Sequence, residues 1–350
     1  MTTARAILLL AATLPAAHAA ETMAPVITWS ESRPDTTARA AVAGSLVERA
    51  EVQGFIQAVA ARHGLDRRWL YQVFGAAQTR PEIIATISKP AESKPWHAYR
   101  RIFLTEKRIG DGAAFWRQHA AALAQAERQY GVPAEIIVAI LGVETAYGEN
   151  TGGYRVLEAL ATLAFDYPKR ADFFRKELEQ FLLLAREEGI DPLSLKGSYA
   201  GAMGLAQFMP SSYRHYAVDF DGDGHRDLWR NPVDAIGSIA NYLARNGWRN
   251  GEGVTAPATV AGPGYRDLLS AYSDLKPRYS YGQLRRLGVD SGARAADRAP
   301  ALLLELAGET GPEYWVGFHN FYVITRYNRS PLYAMAAYQL GQEIRQRIGG

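Results

Sequence analysis

The stretch AILGVETAYGENTG, residues 139–152, places a carboxylate, Glu144, among alanines, leucines and valines. On a helix over 133–147, Ile136, Ile137, Ile140, Leu141 and Val143 mark an apolar side. Glu144 stands at i+4 from Ile140 and i+3 from Leu141, on that same side. Taking a carboxylate out of water disfavours the anion and raises its pKa, and a carboxylic acid that keeps its proton near neutral pH can act as a general acid. A structural ion pair, with Arg155 or Arg170 as the cation, accounts for the same pattern, since buried acids are usually paired. Spacing alone does not choose between the two.

A second chemically able stretch is the glycine-rich loop KGSYAGAMGLAQFMPSS. Gly197, Gly201 and Gly204 let backbone approach a ligand, Gln207 offers an amide donor and acceptor, and Ser198 a hydroxyl. Tyr199, Met203, Phe208 and Met209 add apolar surface. Amide-matching hydrogen bonds beside flat apolar walls suit an N-acetylated sugar. A tight turn with a buried Gln is the plainer reading. The third stretch, DFDGDGHRDLWR, presents Asp219, Asp221, Asp223 and Asp227 at positions 1, 3, 5 and 9 of an EF-hand-like loop, with Gly224 at position 6 and the His225 carbonyl at position 7. Position 12, where a bidentate Glu is expected, is Arg230. Crowded carboxylates repel unless a cation neutralises them, and a flexible all-oxygen set favours calcium over magnesium; a solvated Asp/Gly turn is the alternative.

The elements that must hold these stretches are mostly helical. Residues 41–126 read as a helical domain interrupted at Pro81, Pro90 and Pro95, with Leu46, Val47, Phe55, Ile56 and Val59 keeping helical spacing. Gly131-Val132-Pro133 announces the helix of Glu144, with a stop at Gly148. An amphipathic helix follows over Pro168–Glu188, with Phe173, Phe174, Leu178, Phe181 and Leu182 on one side, and another over Pro232–Asn246. Residues 251–317 gain Gly, Pro and Thr and contain the short apolar run ALLLEL, which predicts a small β-containing unit; 318–350 returns to helix. The fold class expected is therefore mainly α with a small β part (α+β), with the core at 127–250.

Composition bounds the rest. The 350 residues are 48% hydrophobic and 21% charged, ordinary for a globular chain with room for a sizeable core. The net charge of +3 is too weak to argue for nucleic acid. Residues 1–19 carry Arg5, an apolar run over 6–12 and the Ala17-His18-Ala19 cleavage pattern of a secretory signal, followed by a polar linker over 20–40. No later run is long enough to span a bilayer. The chain has no Cys, so neither disulfides nor a lipidated cysteine is expected, and a soluble periplasmic protein is the simplest reading.

GVETAYGENTG, KGSYAGAMGLAQFMPSSY and DFDGDGHRDLW…NPVDAIGSIANYL, in that order, resemble the lytic murein transglycosylases of the B type, and NFYVITRYNRSPLYAMA extends the match over most of the mature chain. The resemblance implies a lysozyme-like core that cuts the β-1,4 bond between N-acetylmuramic acid and N-acetylglucosamine in peptidoglycan, closing a 1,6-anhydro ring. It implies Glu144 as the catalytic acid/base and Ser198, Met203, Gln207 and Phe208 near the sugar. Tyr242, Tyr327, Asn328 and Tyr333 are implied along the glycan groove, with Arg170 turned toward substrate. It also implies Asp234 as the carboxylate that closes a calcium site with Asp219, Asp221, Asp223 and His225. Ordinary glycosidases use two carboxylates; Glu149 and Glu158 are the remaining candidates here, and both suit surface or capping roles better. Glycan strands are the expected partner, with other wall enzymes as further ones. A hydrolytic muramidase and a non-catalytic glycan-binding scaffold are the competing readings, separated by the product formed.

Overall fold

The computed structural model describes residues 45–88, 94–269 and 274–349. The secretory signal expected at 1–19, the linker at 20–40 and Pro90 lie outside the described residues. Helices dominate. The first four are α1 (Ala50–His63), α2 (Arg67–Gly75), α3 (Pro81–Ile87) and α4 (Trp96–Phe103). Prolines set two of their starts: Pro81 is the first helical residue of α3, and Pro95 precedes α4. Asp66 caps α2 by accepting from the Arg68 N–H at 2.8 Å.

Next come α5 (Glu106–Gln118), α6 (Ala120–Tyr130) and α7 (Ala134–Thr145), the helix that carries Glu144. Pro133 is its N-cap rather than its first helical residue, one position from the expected start. The helix ends earlier than expected, because Ala146 turns left-handed at φ 49° two residues before Gly148. The expected single apolar side is also wrong in extent: all twelve residues of α7 are buried, including Glu135 and Glu144. Neighbouring helices cover it all round, so the helix has no solvent face.

A two-residue ribbon, β1 (Tyr154–Arg155) with β2 (Lys196–Gly197), flanks α8 (Val156–Asp166) and α9 (Ala171–Glu187). The amphipathic stretch expected from Pro168 begins as a short 3-10 turn over Pro168–Arg170 before α9. After the glycine loop come α10 (Pro210–Tyr216) and α11 (Pro232–Arg245), close to the expected span.

The β-containing stretch is a five-stranded antiparallel sheet. Its strands are β3 (Thr255–Val260), β4 (Tyr279–Ser280), β5 (Val289–Asp290), β6 (Pro300–Ala307) and β7 (Pro312–Phe318), in the order β4-β6-β7-β3-β5. Strand β6 explains the run ALLLEL. Leu302, Leu304 and Leu306 join the main helical core, while Ala301 and Leu303 face a smaller core with Leu268, Tyr281 and Leu284. Residues 301–304 of β6 are buried on both faces, which calls for apolar side chains at successive positions there.

From β7 the chain runs straight into α14 (His319–Tyr327) and then α15 (Pro331–Ile348), with Leu268 and Tyr281 carried by the short helices α12 (Arg266–Leu269) and α13 (Tyr281–Arg286). One main core joins residues from α1 to α15. Helix α15 lies close along α7, and Gly341 makes this possible: a Cβ there would stand 2.8 Å from the Glu135 carbonyl oxygen. Gly341→Val should therefore lower stability by about 1–3 kcal/mol, the usual cost of overpacking, read as a lower Tm and a shifted denaturation midpoint. An unchanged Tm would mean the two helices are not in close contact.

Candidate active site

Glu144 sits in the last turn of α7 and is 6% exposed. Burial pushes its pKa from 4.5 to about 8, against the opposing pull of one hydrogen bond, in which Tyr333 Oη donates to Oε1 at 2.6 Å. No cation contributes to that balance. Arg155 pairs instead with Glu158, at 3.5 Å, and the Arg170 guanidinium lies 4.4 Å from the Phe173 ring centroid and 5.3 Å from that of Phe174. The ion-pair explanation of Glu144 with either arginine therefore fails. The other two acids are engaged elsewhere: exposed Glu149 pairs with Lys107 at 2.7 Å, and buried Glu158 is clamped by Arg80 at 2.7 Å.

The backbone beyond Glu144 is strained. Ala146 and Tyr147 both hold positive φ, 49° and 61°, in a region that non-glycine residues enter rarely, at about 1–3 kcal/mol each. Tyr147 is pinned by its hydroxyl, which donates to the Arg108 carbonyl at 2.9 Å, and by its ring stacked on Phe115. Thr145 ties the same turn to the glycine loop, donating from Oγ1 to the Leu205 carbonyl at 3.2 Å.

In that loop, Ser198 Oγ accepts from the N–H groups of Ala200 and Ala202 at 3.2 and 3.0 Å, leaving its own proton to donate. Buried Met203 bridges the backbone of Gly197 and Phe208. Gly204, at φ 67°, lies under the chain of Leu228, whose carbonyl oxygen would be 2.3 Å from a Cβ. Gln207 also has positive φ, 48°. Its Nε2 donates to the carbonyls of Thr151 and Gly204, at 3.1 and 2.8 Å, which fixes the orientation of the amide. Oε1 is then left buried without a donor. Such an acceptor is costly unless something brings an N–H or O–H to it.

Aromatic rings gather beside this loop from distant parts of the chain. Phe208 packs on Tyr242 and Tyr327 at centroid distances of 5.6 and 5.7 Å, and Tyr327 lies parallel to Tyr333 at 6.5 Å. Tyr327 Oη donates to the Ala206 carbonyl at 2.6 Å and Tyr242 Oη to that of Arg326. Asn328, buried, accepts from Ser330 N–H at 3.2 Å and so shapes the entry to α15 and Tyr333. The fold thus brings together Glu144, Gln207, Phe208, Tyr242, Tyr327 and Tyr333. Arg170 stays on the aromatic face of α9. Two residues escaped the sequence reading. Tyr99, buried on α4, is close enough to raise the pKa of Tyr333, and Tyr216 packs on Tyr242 at 4.7 Å. In WHAYRRIF, Tyr99 carries only the spacing of a core residue.

In the acidic loop, carboxylate oxygens of Asp219, Asp221 and Asp223 lie within 4.8 Å of one another, all exposed. Asp219 accepts from the N–H groups of Gly222 and Gly224, and His225 donates its N–H to Asp223. Asp234 stands outside that triple. It is fully buried, and its two oxygens accept from Phe220 and Asp227 N–H at 2.7 and 2.8 Å, so it anchors the base of the loop. Asp227 is turned to the N–H groups of Trp229 and Arg230. Three converging carboxylates form a hard oxygen donor set of the kind calcium takes.

The sequence profile of the transglycosylase SLT domain family matches residues 48–342. The chain belongs to that family. It is 45% identical over 311 residues to the membrane-bound lytic murein transglycosylase B of Escherichia coli, covering 86% of this chain and 84% of that protein. The soluble lytic transglycosylase SltB1 from Pseudomonas aeruginosa superposes with a TM-score of 0.82 at 51% identity, covering 86% of this chain and all of that one. Escherichia coli Slt35, solved in complex with calcium, gives 0.80 at 45% identity, covering 88% and 96%. This SLT-family transglycosylase has the lysozyme-like fold of those enzymes, and among its described residues no helix is long and apolar enough to cross a membrane.

The raised pKa of Glu144 has a thermodynamic consequence. The folded state holds a proton that the unfolded state releases above about pH 4.5. The associated stability is complete below that pH and is lost as pH rises through about 8. Glu144→Gln should match the wild type in Tm in acid and exceed it by several degrees in alkali, an effect on the order of a few kcal/mol. A Tm difference independent of pH would place the carboxyl in water.

Proposed function

We propose that Glu144 is the single acid/base of a lytic cut in peptidoglycan. The observation that carries this reading is a buried carboxyl, free of any cation, that keeps its proton up to about pH 8. Protonated Glu144 donates to the oxygen between N-acetylmuramic acid and N-acetylglucosamine, and that C1–O bond breaks. Positive charge grows on C1 and the ring oxygen, and the neighbouring 2-acetamido group of the muramic sugar shares it. Glu144, now an anion steadied by Tyr333, takes the proton from the C6 hydroxyl, whose oxygen bonds to C1. The product is a 1,6-anhydro ring, and Glu144 is protonated again. An attacker tethered in the same sugar outruns water because its translational freedom is already removed. No second carboxylate is needed, consistent with the engagement of Glu149 and Glu158 elsewhere.

The surrounding groups fit an N-acetylated glycan. Gln207 Oε1 offers an acceptor to a sugar N–H or O–H, Ser198 offers its hydroxyl proton, and Met203, Phe208, Tyr242, Tyr327 and Tyr333 supply apolar and aromatic walls. Asn328, at the entry to α15, completes the proposed groove. Calcium would be held by Asp219, Asp221 and Asp223, with the His225 carbonyl and Asp234 closing the set after the loop adjusts; its contribution is to neutralise the loop, away from the chemistry. Residues 1–19 would direct the chain to the periplasm, where the glycan is.

Mass spectrometry of sacculi digests tests the central step. The wild type should release anhydro ends, and Glu144→Gln should lose at least about 10²-fold in turnover while still binding glycan. Reducing ends in place of anhydro ends would make the enzyme a hydrolytic muramidase, and near-normal turnover by the variant would remove Glu144 from the reaction. The kcat/KM profile should fall above about pH 8, and Tyr333→Phe, by removing the bond that favours the anion, should move that limb to higher pH. For the acidic loop, calcium should raise the Tm of chelator-treated protein, and Asp219→Asn should abolish the rise; a Tm indifferent to calcium would dismiss the site.

A further inference from the structure

A cavity of about 440 Å³ opens between the acidic loop and β2, lined by Glu188, Lys196, His225, Arg226, Trp229 and Arg230 among others. Neither Glu144 nor Gln207 nor Tyr333 lines it, so it is separate from the site above. Its size is that of a small-ligand site. Most of its charges are already answered. Arg226 pairs with Glu188, and Asp227 accepts from the N–H groups of Trp229 and Arg230. The side chains of Lys196 and Arg230 have no carboxylate within ion-pair distance among the described residues.

The floor is Trp229, held by its Nε1, which donates to the Lys196 carbonyl at 3.1 Å, and by its ring against Tyr213 at 5.3 Å. Lys196 also stands directly opposite Arg155 in the β1–β2 ribbon. Residues paired this way project to the same face, and like charges so placed repel. Glu158 answers Arg155; among the described residues no carboxylate answers Lys196. Two unanswered cations over an aromatic floor suit a ligand with a carboxylate and an apolar stem.

The place of the cavity in the chain narrows the ligand. Lys196 is two residues before Ser198, and the Leu228 carbonyl, next to Trp229, accepts from Leu205 N–H in the glycine loop at 2.7 Å. The cavity wall is thus continuous with the loop that carries Gln207. In peptidoglycan the muramic sugar bears a peptide joined through its N-terminus, so its far end is a carboxylate. Five extended residues reach at most about 17 Å, and the cavity adjoins the glycine loop through the Leu205–Leu228 hydrogen bond. Resting on the peptidoglycan reading above, we propose that Lys196, Arg230 and Trp229 form a docking site for the anionic peptide of the muramic residue, and that this site favours peptide-bearing over naked glycan.

The test uses the full chain with Lys196→Ala and Arg230→Ala combined. In the Glu144→Gln background, titration with N-acetylglucosaminyl-N-acetylmuramyl pentapeptide should show about tenfold weaker binding than in Glu144→Gln alone, while the peptide-free disaccharide binds equally to both. In the active background, KM on intact sacculi should rise about tenfold with kcat unchanged, and KM on amidase-stripped glycan should not move. Equal losses on both ligands, no loss on either, or no preference of the parent protein for the peptide-bearing ligand would overturn the docking site. If the double variant does not fold, Arg230→Gln alone is measured against the same pair of ligands. Absence of anhydro product from wild type on both substrates would instead overturn the peptidoglycan reaction, since the binding comparison is read without turnover.

Discussion

The desolvation of one carboxyl group governs this molecule. Helix α7 is buried on every side, and its only inward acid without a cation is Glu144. Water would leave that group an anion near neutral pH; the protein interior keeps the proton on it. A guanidinium in the same place would restore the anion and remove the acid. The two arginines that the sequence offers as partners are committed elsewhere, Arg155 to Glu158 and Arg170 to the rings of Phe173 and Phe174. Tyr333 is the one group that moderates the shift. A hydroxyl there steadies the carboxylate when it forms, without paying the electrostatic cost of a fixed charge beside the acid.

Much of the remaining architecture serves to hold that hydroxyl and the glycine loop against α7. Tyr333 reaches Glu144 from 189 positions away in the chain. Gly341 lets α15 lie close to α7, and Ser330 caps α15 by accepting from the N–H of Tyr333 itself, at 3.3 Å. On the other side, Thr145 links the end of α7 to Leu205, and Gln207 is locked by two carbonyls into a left-handed conformation. Local strain at Ala146, Tyr147 and Gln207 is concentrated around the acid and is supported by packing from α5 and the loop. This is the pattern of a preorganised site: rigid surroundings maintain geometries that the chain alone would not choose.

The acidic loop and the sheet stand further out. Asp234 stitches the loop to the start of α11 through two backbone hydrogen bonds, leaving three exposed carboxylates to face one another. The sheet is sandwiched between the main core and its own small one, so β6 binds the two together through alternate leucines. The last strand then delivers the chain to α14 and α15. In this way an excursion of some sixty residues returns the tyrosines to the helix from which the acid projects.

The sequence by itself determined which residues stand in the motifs. Glu144 at apolar spacing, the glycine loop around Gln207 and the Asp/Gly run at 219–224 are all local patterns, as are the helices that start near Pro133 and Pro232. Periodicity reports one helix at a time, so it could assign Glu144 an apolar side but could not see that α7 has no other side. Nor could it choose between an acid and an ion pair, because that depends on which charges the fold brings near. The partner of Glu144 proved to be a hydroxyl 189 residues away, Glu158 proved to be claimed by Arg80 from 78 residues away, and Tyr99 arrived from α4 with only the spacing of a core residue. Burial and pairing are properties of the assembled interior, where the dielectric is low and neighbours come from every part of the chain. Only the tertiary structure could decide that the proton stays on Glu144.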